Sequence, residues 1–181
     1  WTVKDVERGG ITGGKRFPQL MDMLAILEHE PDTLTLSPPV AITLPDQSHT
    51  HSTDPNVNQA LSAAIGSPVS LWPLLSADQL EHYRRPPNPE NFDQMAYFRA
   101  LFARTDDEPL PDLSAFPEEL FIYESSPGTY FDAFPLLIMT TASLNAMAAA
   151  TAESNFDGRR FRPNILLDTD ADGVVENSWV G

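Results

Sequence analysis

Seventeen prolines against nine glycines in 181 residues constrain this chain more than any other single feature. Proline fixes φ and offers no N–H, so it settles in loops, turns and sheet edges rather than inside central strands. With 41% apolar residues the balance points to ordered loops around a β-rich core, not to disorder. The expected fold class is mixed α/β and β-rich. The length allows one substantial core, or two lobes sharing an interface. No apolar run reaches the roughly 20 residues that a membrane span requires, so a soluble, cytoplasmic chain is expected.

The formal charge of −15 argues against a nucleic-acid partner, whose phosphates need clustered Lys and Arg. Five of the 11 basic residues stand at Arg84-Arg85 and Arg159-Arg160-Arg162. In an acidic protein those are the places to receive an anion. The absence of Cys excludes disulfides and thiolate chemistry within these residues. The chain opens on Trp1 and closes on Gly181, and both ends read as cut from something longer.

Trp1 to Val6 alternates as a half-buried strand, Gly9-Gly10 supplies a tight turn and Ile11-Thr12 restarts extended chain, which predicts a hairpin. Leu20 to Leu27 suits a strand or a buried helix; the Pro18 before it and the alternations at Thr33 to Leu36 and Ala41 to Leu44 favour a meander, with Gln47 to Thr53 as a polar loop. Asp54-Pro55 starts a helix with Val57, Leu61 and Ala64-Ile65 on one face, stopped by Gly66 with Pro68. Leu71 to Leu75 reads as a strand, Arg84 to Pro89 as a stiff loop and Phe92 to Ala103 as a helix, with an ordered loop as its alternative. Asp106 to Pro117 is the expected connection between lobes. Extended chain from Phe131 to Met139 then leads into Thr140-Thr141, which caps a helix from about Ala142 to Glu153.

Three groups of residues suggest a site. Arg162 and Asn164 bracket Pro163 and put two anion-binding side chains on rigid extended backbone. The bidentate Arg suits phosphate, and Asn both donates and accepts, so a phosphorylated heterocycle fits the pair. Its alternative is that the arginines only offset Asp157 and Asp168. Thr140 and Thr141 bring hydroxyls to a helix N-terminus, a second anion-binding arrangement, or serve as a cap with no ligand. Asp168 to Gly173 matches the first half of a calcium loop, but Trp179 stands where the bidentate Glu should be; the alternative is a solvated acidic turn. His49 and His51 are either a metal pair or simply exposed.

Taken in order, Tyr130-Phe131-Asp132-Ala133-Phe134-Pro135-Leu136, Thr140-Thr141-Ala142-Ser143-Leu144, Arg160-Phe161-Arg162-Pro163-Asn164 and Glu176-Asn177-Ser178-Trp179 resemble the MOSC family, the molybdenum-cofactor sulfurase C-terminal domains that include amidoxime-reducing molybdoenzymes. The first part of the chain resembles the family's β-rich N-terminal domain. The resemblance implies an N-terminal domain over 1–105 and an incomplete MOSC domain of β-barrel type over 106–181. It also implies a molybdenum cofactor of the molybdopterin type, with pyridoxal phosphate as a second phosphorylated heterocycle.

By the same resemblance Arg162, Asn164, Thr140 and Thr141 are the expected cofactor-binding residues, while Ser143 and Leu144 cap or pack the helix. Molybdenum-binding members carry a Cys beyond the Ser-Trp block, and none occurs in these residues. Asn177 stands where relatives commonly have an acid. The implied function is an oxidoreductase, or a fragment of one, that reduces N-oxygenated small molecules with electrons from a partner protein. The alternative is a non-catalytic carrier of the cofactor or of its sulfur.

Overall fold

A computed structural model describes residues 1–114, 116–131, 134–151 and 153–179. The chain forms two compact units, Trp1–Ala133 and Phe134–Gly181. The fold is mixed α/β with small sheets, and no closed barrel is formed among the described residues.

In the first unit β1 (Thr2–Asp5) pairs antiparallel with both β2 (Ile11–Thr12) and β6 (Val69–Trp72). The expected hairpin is present, and its turn is held from inside. Asp5, 2% exposed, accepts hydrogen bonds from the Glu7 and Arg8 N–H groups and pairs with Arg16 at 2.5 Å. A second antiparallel sheet has the order β3 (Leu24–Leu27), β4 (Val40–Thr43), β5 (His49–His51).

Two expectations for this sheet fail. Thr33 to Leu36 is not a strand, because Asp32 turns back to accept from the Leu34 and Thr35 N–H groups and bends the chain. His49–His51, expected as loop, is a strand: Thr50 faces inward while both histidines lie on the outer face. The period of two is there, but its apolar member is a threonine.

Helix α1 (Val57–Ile65) buries Val57, Leu61 and Ile65, four residues apart, against Val3, Phe17, Val40, Ile42, Leu44 and Val69. Asn56 rather than Asp54 is the residue before its first turn; Asp54 instead accepts from the Asn56 N–H at 2.8 Å. Gly66, at φ +78°, ends the helix in the left-handed conformation that a Cβ disfavours. Asn58 accepts from the Leu71 N–H, and Ser62 from the Val69 N–H, so the polar side of α1 is stitched to β6.

Two short helices, α2 (Leu80–Tyr83) and α4 (Glu119–Ile122), flank α3 (Gln94–Leu101), which Asp93 caps through the Ala96 N–H. The expected boundary at 105/106 is displaced to 133/134. The reason is that 117–131 is fastened to the first unit. Glu124 pairs with Arg8 and Arg85, each at 2.8 Å, and Arg84 bridges to Tyr123. Tyr130 donates to the Pro73 carbonyl at 2.6 Å and so accepts from His82 Nε2 at 2.8 Å. Burial, and then Lys4, push the His82 pKa down, which favours the neutral ring.

The second unit is a parallel pair, β7 (Ile138–Thr140) and β8 (Ile165–Leu167), with α5 (Thr141–Ala150) between them in sequence.

A candidate anion-binding site

In the second unit the strand β7 ends where α5 begins, and Thr140 serves both. Its hydroxyl, on a residue 1% exposed, accepts from the Ser143 N–H at 3.1 Å and caps the helix. The Thr140 N–H donates to Glu176 Oε1 at 2.7 Å, and the Ser143 hydroxyl donates to Glu176 Oε2. A carboxylate of this chain, carried on the 3₁₀ segment Val175–Trp179, therefore already lies at the start of α5. The Ser143 hydroxyl, then the Thr140 donors, lower the Glu176 pKa to about 2.

Thr141 is equally committed. Its hydroxyl donates to Asp168 at 2.8 Å and accepts from the Thr169 N–H at 3.1 Å. The first carboxylate of the calcium-like loop is thus used to tie the exit of β8 to α5. Among the described residues no three side chains of His, Cys, Asp or Glu are gathered to hold a metal ion. On β5 His51 pairs with Glu28 at 3.0 Å, and His49 contacts the Thr43 hydroxyl.

Asn164 clasps Leu137 from both directions. Its side-chain oxygen accepts from the Leu137 N–H at 2.8 Å, and its own N–H donates to the Leu137 carbonyl at 2.9 Å. This starts the β7–β8 pairing and leaves the side-chain NH₂ as the part of Asn164 that can serve a ligand.

The arginines divide. Arg159 is taken up by Asp157, which also accepts from the Arg159 N–H; the Arg159 side chain, then its N–H, pull the Asp157 pKa down to about 2. Arg160 donates to the Asn155 carbonyl at 2.7 Å. The charge-offsetting alternative therefore describes Arg159. It does not describe Arg162, whose guanidinium has no hydrogen-bond or ion-pair partner among the described residues, unlike the other eight arginines.

Arg162 also sits at φ +56° directly before Pro163. A left-handed conformation at a non-glycine residue costs about 1–3 kcal/mol and is tolerated where surrounding structure holds it. Arg162 lines an open cleft of about 630 Å³ with Asp157, Gly158, Arg159, Pro163 and Leu166. One guanidinium is available there, a second is held by an internal carboxylate, and the floor is apolar.

Of the four expected binding residues, Arg162 is thus on the cleft, Asn164 adjoins it in sequence, and Thr140 and Thr141 fasten the surrounding elements. Sequence reasoning named Asp157 as a counter-charge to the arginines but missed the role of Glu176. Asp157 had a local signal, an Asp two residues before an Arg at a helix start; Glu176 had none, since its donors lie 33 and 36 residues away.

The Glu176 latch makes a prediction. Its folded pKa lies below the ordinary 4.5, so the stability it contributes is present above that value and is lost as pH falls towards about 2. Acid unfolding of the second unit, followed by amide exchange at Ser143, should therefore be steeper in the native chain than in Glu176→Gln. Identical pH profiles would show the latch to be inert.

Comparison with known proteins finds no match to this chain among family models, curated proteins or solved structures.

Proposed function

We propose that the second unit binds a phosphate-bearing heterocyclic cofactor of the molybdopterin type, with Arg162 gripping the phosphate. The observation that carries this reading is the Arg162 guanidinium, exposed and unpartnered among the described residues on a residue held at φ +56°. Conformational strain on an idle surface arginine has no benefit to the fold; strain that presents a bidentate donor to a cleft does. Arg159 would join it if the ligand's anion displaced Asp157, and the Asn164 NH₂ is a further donor. Thr140 fits poorly as a direct contact because it is buried and serves as a cap. The β-barrel architecture belongs to the same proposal, with β7 and β8 as two of its strands.

When bound, such a cofactor supplies redox chemistry that no side chain has. The contribution of these residues is to bind and orient it. In the fullest form of this reading the chain is part of an oxidoreductase for N-oxygenated small molecules, supplied with electrons by a partner protein. The alternative form is a carrier that holds the cofactor, or its sulfur, without performing catalysis.

The test uses Arg162→Gly beside Arg162→Ala. Glycine relieves the left-handed backbone, so Arg162→Gly should be no less stable than the native chain. Its affinity for phosphorylated pterin, measured by calorimetry, should nevertheless fall about 10- to 100-fold, as for loss of a charged hydrogen bond. Undiminished binding in Arg162→Gly, or no binding by the native chain, overturns the proposal.

A further inference from the structure

The sheet β3-β4-β5 ends on one side at β3, whose four residues Leu24-Ala25-Ile26-Leu27 are all exposed, Leu24 at 57% and Ile26 at 58%. Edge strands normally carry a charge, a proline or a bulge that discourages further pairing. This one has no charge and no proline in its run, and it pairs with β4 without a break in register from Leu24↔Thr43 to Leu27↔Val40.

The phase of its hydrogen bonds shows which groups are on offer. The Glu28 N–H donates to the Pro39 carbonyl at 2.9 Å. In an antiparallel ladder the residues alternate, so Ile26 and Leu24 also turn their main-chain groups towards β4. Ala25 and Leu27 turn theirs outward, and neither has a hydrogen-bond partner on that side among the described residues.

We propose that the β3 edge accepts an added strand, and that its occupant is an extended segment of another protein with apolar side chains at the centre and Lys or Arg at both ends. Charge selects this occupant. Asp22 precedes β3, and Glu28 and Glu30 follow it. A second copy of the chain, laid antiparallel, would set Asp22 against Glu28 at both ends and would bring together two bodies of net charge −15. Like charges directly opposed across strands are destabilising, so self-pairing is disfavoured. A strand with basic ends meets an acid at each end, and its side chains alternate over Leu24 and Ile26 on one face.

The test is fluorescence anisotropy of a labelled synthetic peptide of alternating Val and Thr with Lys at both ends, titrated with the 181-residue chain. The Lys-ended peptide should bind, and more tightly by about tenfold than one with Glu at both ends. Its affinity should weaken as salt rises from about 50 mM to about 0.5 M. Binding should slow amide exchange at Ala25 and Leu27 and not at Ile26. Ala25→Pro removes an outward N–H, a change edge strands tolerate, and should abolish binding while the thermal transition is retained. Asp22→Lys with Glu28→Lys should reverse the peptide preference, which keeps the proposal testable should Ala25→Pro fail to fold. No binding, indifference to the end charges, or a dimer in sedimentation that Ala25→Pro dissolves would each overturn it.

Discussion

Leu61→Ala is expected to destabilise the first unit by about 3 kcal/mol, within the 2–5 kcal/mol seen for buried leucines. Leu61 is 2% exposed at the centre of the α1 stripe, with Val57 one turn before it and Ile65 one turn after. Alanine is the better helix former, so the helix itself gains slightly. The loss comes from apolar surface removed from the core and from the cavity left beside Val3, Ile42 and Val69. The core is fed by both three-stranded sheets, which limits how far either can relax into the gap. Thermal unfolding followed at the first unit should shift down by about 10 °C. A shift of only about 2 °C would mean that this side chain does not bind the two sheets together.

Asp5→Ala should be comparably severe, at about 3 kcal/mol. The carboxylate is buried where β1 enters its turn and is the acceptor for two backbone N–H groups and for Arg16. Burial, the largest single influence, pushes its pKa up, but the Arg8 N–H, Arg16 and the Glu7 N–H together pull it lower, and the net direction is down. Removal of the side chain leaves the two N–H groups without their acceptor. Arg16 is 46% exposed, so its guanidinium can return to water, which moderates the loss. Asp5→Asn should lose less, because its amide oxygen still serves the turn while the ion pair is gone.

Because the folded pKa of Asp5 lies below 3.8, its stabilisation is complete above that value and disappears as pH falls below it. Urea unfolding as a function of pH should therefore show a slope in the native chain that Asp5→Asn flattens. An unchanged slope in that variant would assign the acid sensitivity to another group.

Local chemistry was the part of this fold that could be read in the sequence. The first hairpin, the α1 stripe with its Gly66 stop, and the Thr140 cap each depend on residues within about one or two turns of one another. What could not be read depends on distant partners. Segment 117–131 looked separable because its attachment runs through Glu124 to Arg8 and Arg85 and through Tyr130 to His82. The strand at His49–His51 was hidden because threonine occupies its buried position. At the candidate site, Arg162 and Asn164 were visible as residue types, yet their spacing gave no sign that one would be idle and the other a fastener. That distinction is made by Asp157 and Leu137, and the Leu137–Asn164 contact spans 27 residues.

The Asn164 clasp also has a kinetic meaning. Parallel strands cannot be joined by a tight turn, so β7 and β8 can meet only after the chain between them has folded back, and long closures of this kind are slow. Helix α5, by contrast, needs only neighbours along the chain. Its assembly should precede strand pairing, with Asn164 closing the loop by catching both main-chain groups of Leu137 at once. A slip of one residue would turn every β8 side chain to the opposite face. The two-point catch discriminates against it, so Asn164 helps to fix the alignment of β8 on β7.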